Sequence, residues 1–305
     1  MRAVALIGLG EVGRVFAEEL RNEGVGELQV WDTAFVDPAS RASRNAADLG
    51  LAPAPSAAAA VTGAELVICA VTAANSVPAT EAAAPGLAPG SFFVDVNSSS
   101  PAHKQESFAA VEAVGGRYVE VALMSPIQPR RLRSPFLPGG PYANEFLEAA
   151  AQLGIDHASV ASQVVGRAAA TKLCRSVVIK GMEALVTESL LAARRYGVER
   201  DVLDSFSNLF PKPDWDEFAG YLISRTIEHG QRRSEEMAEA AQTVADAGVA
   251  PTMTTSTVMR QAWAADRVDL DDPTDVIRLL DAILTTLGLN DETLRFPEPE
   301  HGRPT

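Results

Sequence analysis

Short apolar runs alternate with amphipathic stretches over the first 165 residues of the chain. Between the runs lie stretches with helical periodicity, such as 11–21 and 101–114. The runs are nearly continuous in apolar residues, which is typical of strands with both faces covered. They are residues 3–7, 28–31, 65–71, 91–96 and 117–121. This alternation predicts an α/β fold with a doubly wound, mostly parallel sheet and helices on both faces.

The pattern changes near Gly166, after which no run has the character of a strand. Long helical patterns follow, separated by Gly and Pro residues that commonly end helices. They cover residues 168–196, 216–248 (with a possible break), 253–265 and 273–287. The second half of the chain is therefore predicted to be an all-α domain. The Pro-rich end of the chain, residues 296–305, is expected to be a flexible tail.

A glycine-rich turn follows the first predicted strand and opens the first predicted helix. Its sequence, GLGEVG, is a G-x-G-x-x-G pattern in the context that dinucleotide binding requires. We expect the glycines to permit a tight turn, close approach of a pyrophosphate and close packing of helix on strand. The alternative is a structural turn without a ligand. The candidate cofactor-binding residues of the turn are Gly8, Leu9, Gly10, Glu11, Val12 and Gly13.

Asp32 ends the second predicted strand, 19 residues after Gly13. At that place a carboxylate binds the adenosine ribose hydroxyls and repels a 2′-phosphate. This predicts a Rossmann domain that binds NAD. NADP is also possible, because Arg41 and Arg44 lie just beyond the carboxylate. The predicted domains are a dinucleotide-binding domain over residues 1–165 and a helical domain for substrate binding and dimerisation over 166–295.

Composition and charge narrow the classes of function. The 305 residues carry a formal net charge of −14, which argues against nucleic acid or an anionic membrane as partner. No apolar run is long enough to span a bilayer and no signal peptide is apparent, so we expect a cytoplasmic protein. Cys69 and Cys174 are expected to be buried free thiols. The four histidines are scattered, so we expect no metal site.

Residues 166–183 carry the strongest candidate for catalysis. On a helix, Lys172, Ser176 and Glu183 fall within a narrow sector, with Arg175 and Lys180 on either side. Apolar residues cover most of the remaining circumference. One polar stripe on a largely buried helix suggests a stripe that faces a cleft. A solvated amphipathic face is the alternative.

The sequence resembles the β-hydroxyacid dehydrogenases, a family that includes 3-hydroxyisobutyrate dehydrogenase and 6-phosphogluconate dehydrogenase. The resemblance covers nearly the whole chain in layout and four places in motif. These are GLGEVG with Asp32; DVNSSSP at 95–101, similar to the family's D-x-S-T-x-x-P; ALMSP at 122–126; and the G-x5-K of 166–172. Asn97 and Ser98 are similar to the Asn-Ser of the phosphogluconate branch.

The resemblance implies that Lys172 is the general acid/base that exchanges a proton with the substrate hydroxyl during hydride transfer to or from a nicotinamide. It implies that Ser98 and Ser125 bind a small anionic 3-hydroxy acid or sugar-acid-like substrate. Free lysine titrates near ~10.4, so Lys172 would need burial or nearby cations to titrate near neutrality.

Arg175 and Ser176 stand where the family has two Asn residues, and both are candidate substrate contacts. Arg175 could lower the pKa of Lys172 or clamp an anionic group of the substrate. Val71, Thr72 and Asn97 are placed to contact the cofactor at the ends of strands.

Some residues depart from the family pattern. Pro126 and Ile127 replace two glycines after the loop serine, and Glu235-Glu236 appears where the family has Lys-Asp. The chain therefore resembles a divergent branch with a phosphogluconate-dehydrogenase-like C-terminal domain.

Structural alternatives apply to several of these residues. Ser98 could begin the helix after Pro101, Ser125 could sit in an ordinary Pro turn, and Arg175 could pair with Glu183. The arginines of residues 128–140 are expected to lie in a solvated loop, and Lys180 is expected to be structural.

Two other functions compete with the dehydrogenase. One is an imine reductase on the same fold, although by resemblance those enzymes usually carry Asp or Tyr in place of Lys172. The other is a non-catalytic dinucleotide-binding protein. By resemblance, we expect a homodimer formed through the helical domain.

Overall fold

The computed structural model describes residues 3–155, 157–209, 211–212, 214–264 and 275–289. The chain divides into two compact units. The first contains residues 1–175 and 242–249, and the second contains 176–241 and 250–305. The division falls inside a long helix, Arg167–Tyr196. The predicted limits of the domains stay a prediction.

A six-stranded sheet forms the centre of the first unit. Its strand order is β2-β1-β3-β4-β5-β6, in which β1 to β5 pair in parallel and β6 pairs antiparallel with β5. The strands are β1 Ala3–Ile7, β2 Glu27–Trp31, β3 Leu66–Cys69, β4 Phe92–Asp95, β5 Arg117–Leu123 and β6 Phe136–Gly139. The predicted fold class, a doubly wound and mostly parallel sheet, is confirmed.

Two apolar layers cover the sheet, and the residues of β1 show how the sequence produces them. Val4 and Leu6 pack into one buried cluster, while Ala5 and Ile7 pack into the other. Successive side chains of a strand point to opposite faces, so an uninterrupted apolar run fills both layers. The alternating helices of this unit are α1 Glu11–Asn22, α2 Arg41–Asp48, α3 Ala57–Val61, α4 Ser76–Ala83, α5 Pro101–Glu112 and α6 Ala143–Ala151.

Strand β6 and its neighbouring loop correct the expectation for residues 128–140. We expected a solvated loop, but β6 forms the edge of the sheet and Phe136 is buried. Arg131 is only partly exposed, because its guanidinium pairs with Glu18 at 2.6 Å and with Glu19 at 2.5 Å, whereas Arg130 and Arg133 are exposed, as expected. The run FLPG is short and contains a proline, a residue that sheets tolerate mainly at an edge.

The second unit is helical in the residues that the structure describes. Its helices are the later part of α7 Arg167–Tyr196, then α8 Glu199–Leu209, α9 Trp215–Asp246, α10 Thr252–Ala264 and α11 Val276–Thr286. The break expected within residues 216–248 occurs at His229, whose backbone angles (φ −126°, ψ 16°) interrupt α9. Helix α8 was not predicted. None of the described helices has the length and apolar character that a membrane crossing requires.

The two cysteines differ in exposure. Cys69 is buried in β3, as expected, but Cys174 is exposed, so the expectation of two buried thiols was wrong. Leu173, its neighbour, is the residue that α7 buries at this turn. One residue further along a helix points about 100° away, which puts Cys174 on the solvent side.

Candidate functional site

The turn between β1 and α1 has the geometry of a phosphate-binding loop. Gly8 has φ +94°, and a Cβ there would lie 2.3 Å from the Ala70 carbonyl oxygen. A Cβ on Gly13 would lie 2.0 Å from the Gly8 carbonyl oxygen, so α1 packs against the turn only because that position is glycine. Beside Gly10 there is open space, and among the described residues no side chain caps the amides of α1. The turn therefore leaves an open cradle of amides that fits a pyrophosphate.

Asp32 follows β2 directly and lies against this turn. Its Oδ2 accepts a hydrogen bond from the Leu9 amide at 2.8 Å, and its Oδ1 accepts one from Ala34 N at 2.9 Å. Asn45 braces the same loop, since its Nδ2 donates to the Leu9 carbonyl at 2.8 Å. Asn45 was not predicted as a site residue, because no motif marks it. These contacts hold a carboxylate beside the place where the adenosine ribose of a dinucleotide would lie.

Asn97 joins the ends of two neighbouring strands. Its Oδ1 accepts from Val71 N, which follows β3, at 2.6 Å, and its own backbone N donates to Asp95 Oδ1 at 2.9 Å. Asn97 is buried, whereas Thr72 is exposed and accepts from Asn75 Nδ2. Asn97 thus fixes the shape of the strand ends, and its direct contact with a cofactor stays a prediction.

Lys172 and Ser98 come together in the first unit. The Lys172 Nζ donates a hydrogen bond to Ser98 Oγ at 2.5 Å. Lys172 lies in the second turn of α7, and Ser98 lies in the segment between β4 and α5. Both line a narrow crevice together with Asn97, Lys104 and Glu120. An amine in contact with a hydroxyl, beyond the carboxyl end of β4, can exchange protons with a ligand bound there.

The structure does not bring the other predicted substrate residues into this contact. Ser125 lies in the loop after β5, and its hydroxyl donates to the Pro126 carbonyl at 3.2 Å. Arg175 is exposed, and the buried Ser176 belongs to the second unit. The roles of these three residues stay predictions. Ser98 does not cap the helix after Pro101, because Ser100 does so by accepting from His103 N.

The second unit contains its own buried ion pairs. Glu183 pairs with Arg233, with 2.7 Å between Oε2 and Nη1, so the alternative that Glu183 is the partner of Arg175 has no support. Lys180 pairs with Glu236. Burial raises the pKa of Glu183, and the charges of Arg233 and Lys180 oppose that rise. Burial also lowers the pKa of the Arg233 guanidinium.

A buried polar network surrounds Asp95, which lies two residues before Asn97, and the side chains of this network were not predicted as site residues. Lys104 Nζ is 2.8 Å from Asp95 Oδ1, and both side chains are almost fully buried. Tyr118 donates to Asp95 Oδ2 at 2.9 Å, and burial together with that carboxylate raises the pKa of Tyr118 well above its usual value. Burial raises the pKa of the nearby Cys69 thiol to about 12. Lysine occurs at only four positions in this chain, and that rarity is the signal in the sequence that could have drawn attention to Lys104.

Glu120 is a further residue of the site that was not predicted from the sequence. It is an acid in the middle of strand β5, between the apolar residues Val119 and Val121, and it lines the same crevice as Lys172. Such a residue is a signal in itself, because buried acids need partners. No group of three or more His, Cys, Asp or Glu side chains among the described residues could hold a metal ion.

Two family models match the chain. Residues 3–141 match the NAD-binding domain of 6-phosphogluconate dehydrogenase, and residues 193–264 match a domain of unknown function, DUF1932. No curated protein matches the sequence significantly. The first match covers the glycine turn, Asp32 and the Asn97-Ser98 segment, which places this part of the site within a dinucleotide-binding family.

Solved structures extend the likeness to almost the whole chain. A conserved hypothetical protein from Sinorhizobium meliloti 1021 is 33% identical, with a TM-score of 0.72, over 94% of this chain and 97% of that one. A 3-hydroxyisobutyrate dehydrogenase from Mycobacterium tuberculosis, solved with L-serine, is 19% identical over 92% and 100% of the chains, with a TM-score of 0.70.

An imine reductase from Myxococcus stipitatus, in complex with NAD+, is 17% identical over 93% and 99% of the chains, with a TM-score of 0.57. At these identities, the two enzymes have the fold in common with this chain.

Proposed function

Since this chain belongs to the β-hydroxyacid dehydrogenase family, we propose that it transfers a hydride between NAD(P) and the hydroxyl-bearing carbon of a small 3-hydroxy acid or sugar-acid-like substrate. The observation that supports this most directly is the contact of Lys172 Nζ with Ser98 Oγ, 2.5 Å apart. This contact lies in the unit that carries the glycine turn and Asp32, which are suited to a dinucleotide.

Lys172 has the role of proton acceptor when the substrate alcohol is oxidised. The nicotinamide, when bound, supplies the chemistry of accepting or donating a hydride. As the C–H bond of the alcohol is lost, the hydroxyl proton passes to the neutral amine of Lys172, and a carbonyl forms. In the reverse direction, the Lys172 ammonium returns that proton to the carbonyl oxygen. Ser98 holds the amine in place and can bond the same oxygen of the substrate.

The other site residues have supporting roles in this proposal. The amides of Gly8–Gly13 would hold the pyrophosphate of the cofactor, and Val71 and Thr72 would contact the cofactor at the end of β3. Ser125, Arg175 and Ser176 contact an anionic substrate, whose charge Arg175 would balance in a chain with a net charge of −14. A homodimer formed through the helical unit completes the proposal, and sedimentation velocity would show it as a single species of twice the chain mass.

A substrate panel tests this function. The full-length protein would be assayed with 3-hydroxy acids, sugar acids and aldehydes, with NADH absorbance as the readout. Turnover of at least one hydroxy acid is expected. Cyclic imines form a separate arm, because an imine reductase shares this fold. Turnover of imines alone would show that the protein is an imine reductase and not a dehydrogenase. Cofactor binding without any turnover would support a non-catalytic role.

The choice of cofactor depends on Asp32. Because both of its oxygens are held by backbone amides beside the turn, the carboxylate would repel a 2′-phosphate. We expect fluorescence titration to show tighter binding of NADH than of NADPH, and Asp32→Asn to reduce that difference. Equal or tighter binding of NADPH by the unaltered protein would contradict this part of the proposal.

A further inference from the structure

Glu120 is buried in the sheet between β4 and β6, in a space that the neighbouring strands leave open. Glu120 is 1% exposed, and in the sheet it pairs with Asp95 on β4 and with Gly139 on β6. A Cβ at position 139 would lie 2.6 Å from Glu120 Oε1. The lack of a side chain on Gly139 therefore leaves the space that the carboxylate fills.

The Glu120 carboxylate accepts three backbone amides at the start of α7. Gly166 N donates to Oε1 at 2.7 Å, Ala168 N donates to Oε1 at 3.2 Å, and Ala169 N donates to Oε2 at 3.2 Å. Amides in the first turn of a helix have no acceptor within the helix, and the positive end of the helix dipole favours an anion. Glu120 thus caps α7 from a strand of the sheet.

Lys104 links this cap to the strand that precedes Ser98. Burial raises the pKa of Glu120, while the charge of Lys104 and the three amides act in the opposite direction. The same ammonium lies 2.8 Å from Asp95 Oδ1. Lys104 therefore pairs directly with Asp95 on β4, and its charge also acts on Glu120 on the paired strand β5.

We propose that Glu120 is a positioning residue, which fixes the first turn of α7 on β5 and so holds the Lys172 amine against Ser98. The inference rests on the proposed role of Lys172 in proton exchange. Lys172 follows Ala169 by three residues, and Ser98 follows Asp95 by three residues. The three amide hydrogen bonds of Glu120 and its pairing with Asp95 on the neighbouring strand thus connect the two partners of the Lys172–Ser98 contact.

Hydrogen exchange measures the first part of the proposal. In Glu120→Gln, the amides of residues 166–172 are expected to exchange about tenfold faster, because Gln keeps only one acceptor oxygen. Asp275→Asn is the matched control, since Asp275 caps α11 through the amides of Ile277 and Arg278. That variant should accelerate exchange at the start of α11 and leave residues 166–172 unchanged.

NMR of the lysine side chains measures the second part of the proposal, the placement of the Lys172 amine. The chain has only four lysines, at 104, 172, 180 and 212, so ¹³C-methylated protein gives few signals. Lys172→Arg identifies the signal of Lys172. We expect Glu120→Gln to move that signal and to lower its titration midpoint, because a carboxylate of the same crevice is lost. Asp275→Asn should change neither property.

An unchanged Lys172 signal and unchanged exchange at residues 166–172 in Glu120→Gln would overturn the inference. If that variant does not fold, Gly139→Ala tests the same contact, since its added methyl group would displace the carboxylate without removing it. Both measurements use the free protein without a substrate. A failure of the proposed function would appear only as a lack of turnover, so the two failures are distinguishable.

Discussion

Two buried glutamates, one in each unit of the molecule, are held in different ways. Glu120 and Glu183 are both 1% exposed, and burial raises the pKa of both. Three backbone amides bind Glu120. Glu183 is held by the charge of Arg233, and although Oε2 lies 2.7 Å from Nη1, that contact does not have the geometry of a hydrogen bond.

The two carboxylates differ in how closely they fix the position of the groups that bind them. Amides of a helix turn are fixed by the backbone, so Glu120 sets the position of an element of structure. A guanidinium at the end of a long side chain balances a charge and defines a position less closely. Arg225 and Arg233 each keep a buried Nε without a hydrogen-bond partner within the described residues. The sheet unit therefore has the more completely satisfied polar interior.

Removal of Arg233 should produce the largest change in stability. Arg233→Met leaves Glu183 as a buried carboxylate without its ion-pair partner, which costs about 3–5 kcal/mol. Urea denaturation would measure the loss. Arg232→Met is the control: its side chain is 47% exposed, and it should stay within about 0.5 kcal/mol of the unaltered protein. A small loss in Arg233→Met would show that the pair does not hold the helical unit together.

Replacement of Glu120, whose carboxylate is held by backbone amides, should lower the free energy of unfolding by a smaller amount. Glu120→Gln keeps the shape and one acceptor, so about 1–2 kcal/mol is expected, as for the loss of a helix cap. The same urea experiment measures it. A loss as large as that of Arg233→Met would mean that charge, and not the cap, is what Glu120 contributes.

The sequence predicted the parts of the fold and of the site that depend on neighbouring residues better than those that depend on residues far apart in the chain. Uninterrupted apolar runs predicted five strands, because a strand covered on both faces needs no partner to be recognised. The edge strand β6 was missed, since its four residues include Pro138. Glu120 was missed because the amides that define its role lie 46 or more residues later. The polar stripe on the predicted helix pointed to Lys172, whereas Ser98, 74 residues away, was found only through the family resemblance.

A pH series should give the smallest effect. The folded pKa of Glu120 is raised, so this group contributes stability that is complete below the unfolded value, about 4.3, and is lost as pH rises through the folded value. Glu120→Gln lacks this titration. The gap in stability between the unaltered protein and the variant should therefore widen as pH falls from 8 towards 5. A gap that narrows over this range would mean that the folded pKa is not raised.

The most direct test of the proposed chemistry is the turnover of Lys172→Ala on a substrate that the unaltered protein uses. We expect turnover to fall by roughly a hundredfold or more, with NADH affinity nearly unchanged, because Lys172 supplies proton transfer and does not hold the cofactor. The exposed Lys212, changed to Ala, should retain full turnover. Unchanged turnover in Lys172→Ala, or loss of NADH binding instead, would contradict the assignment of Lys172 as the general acid/base.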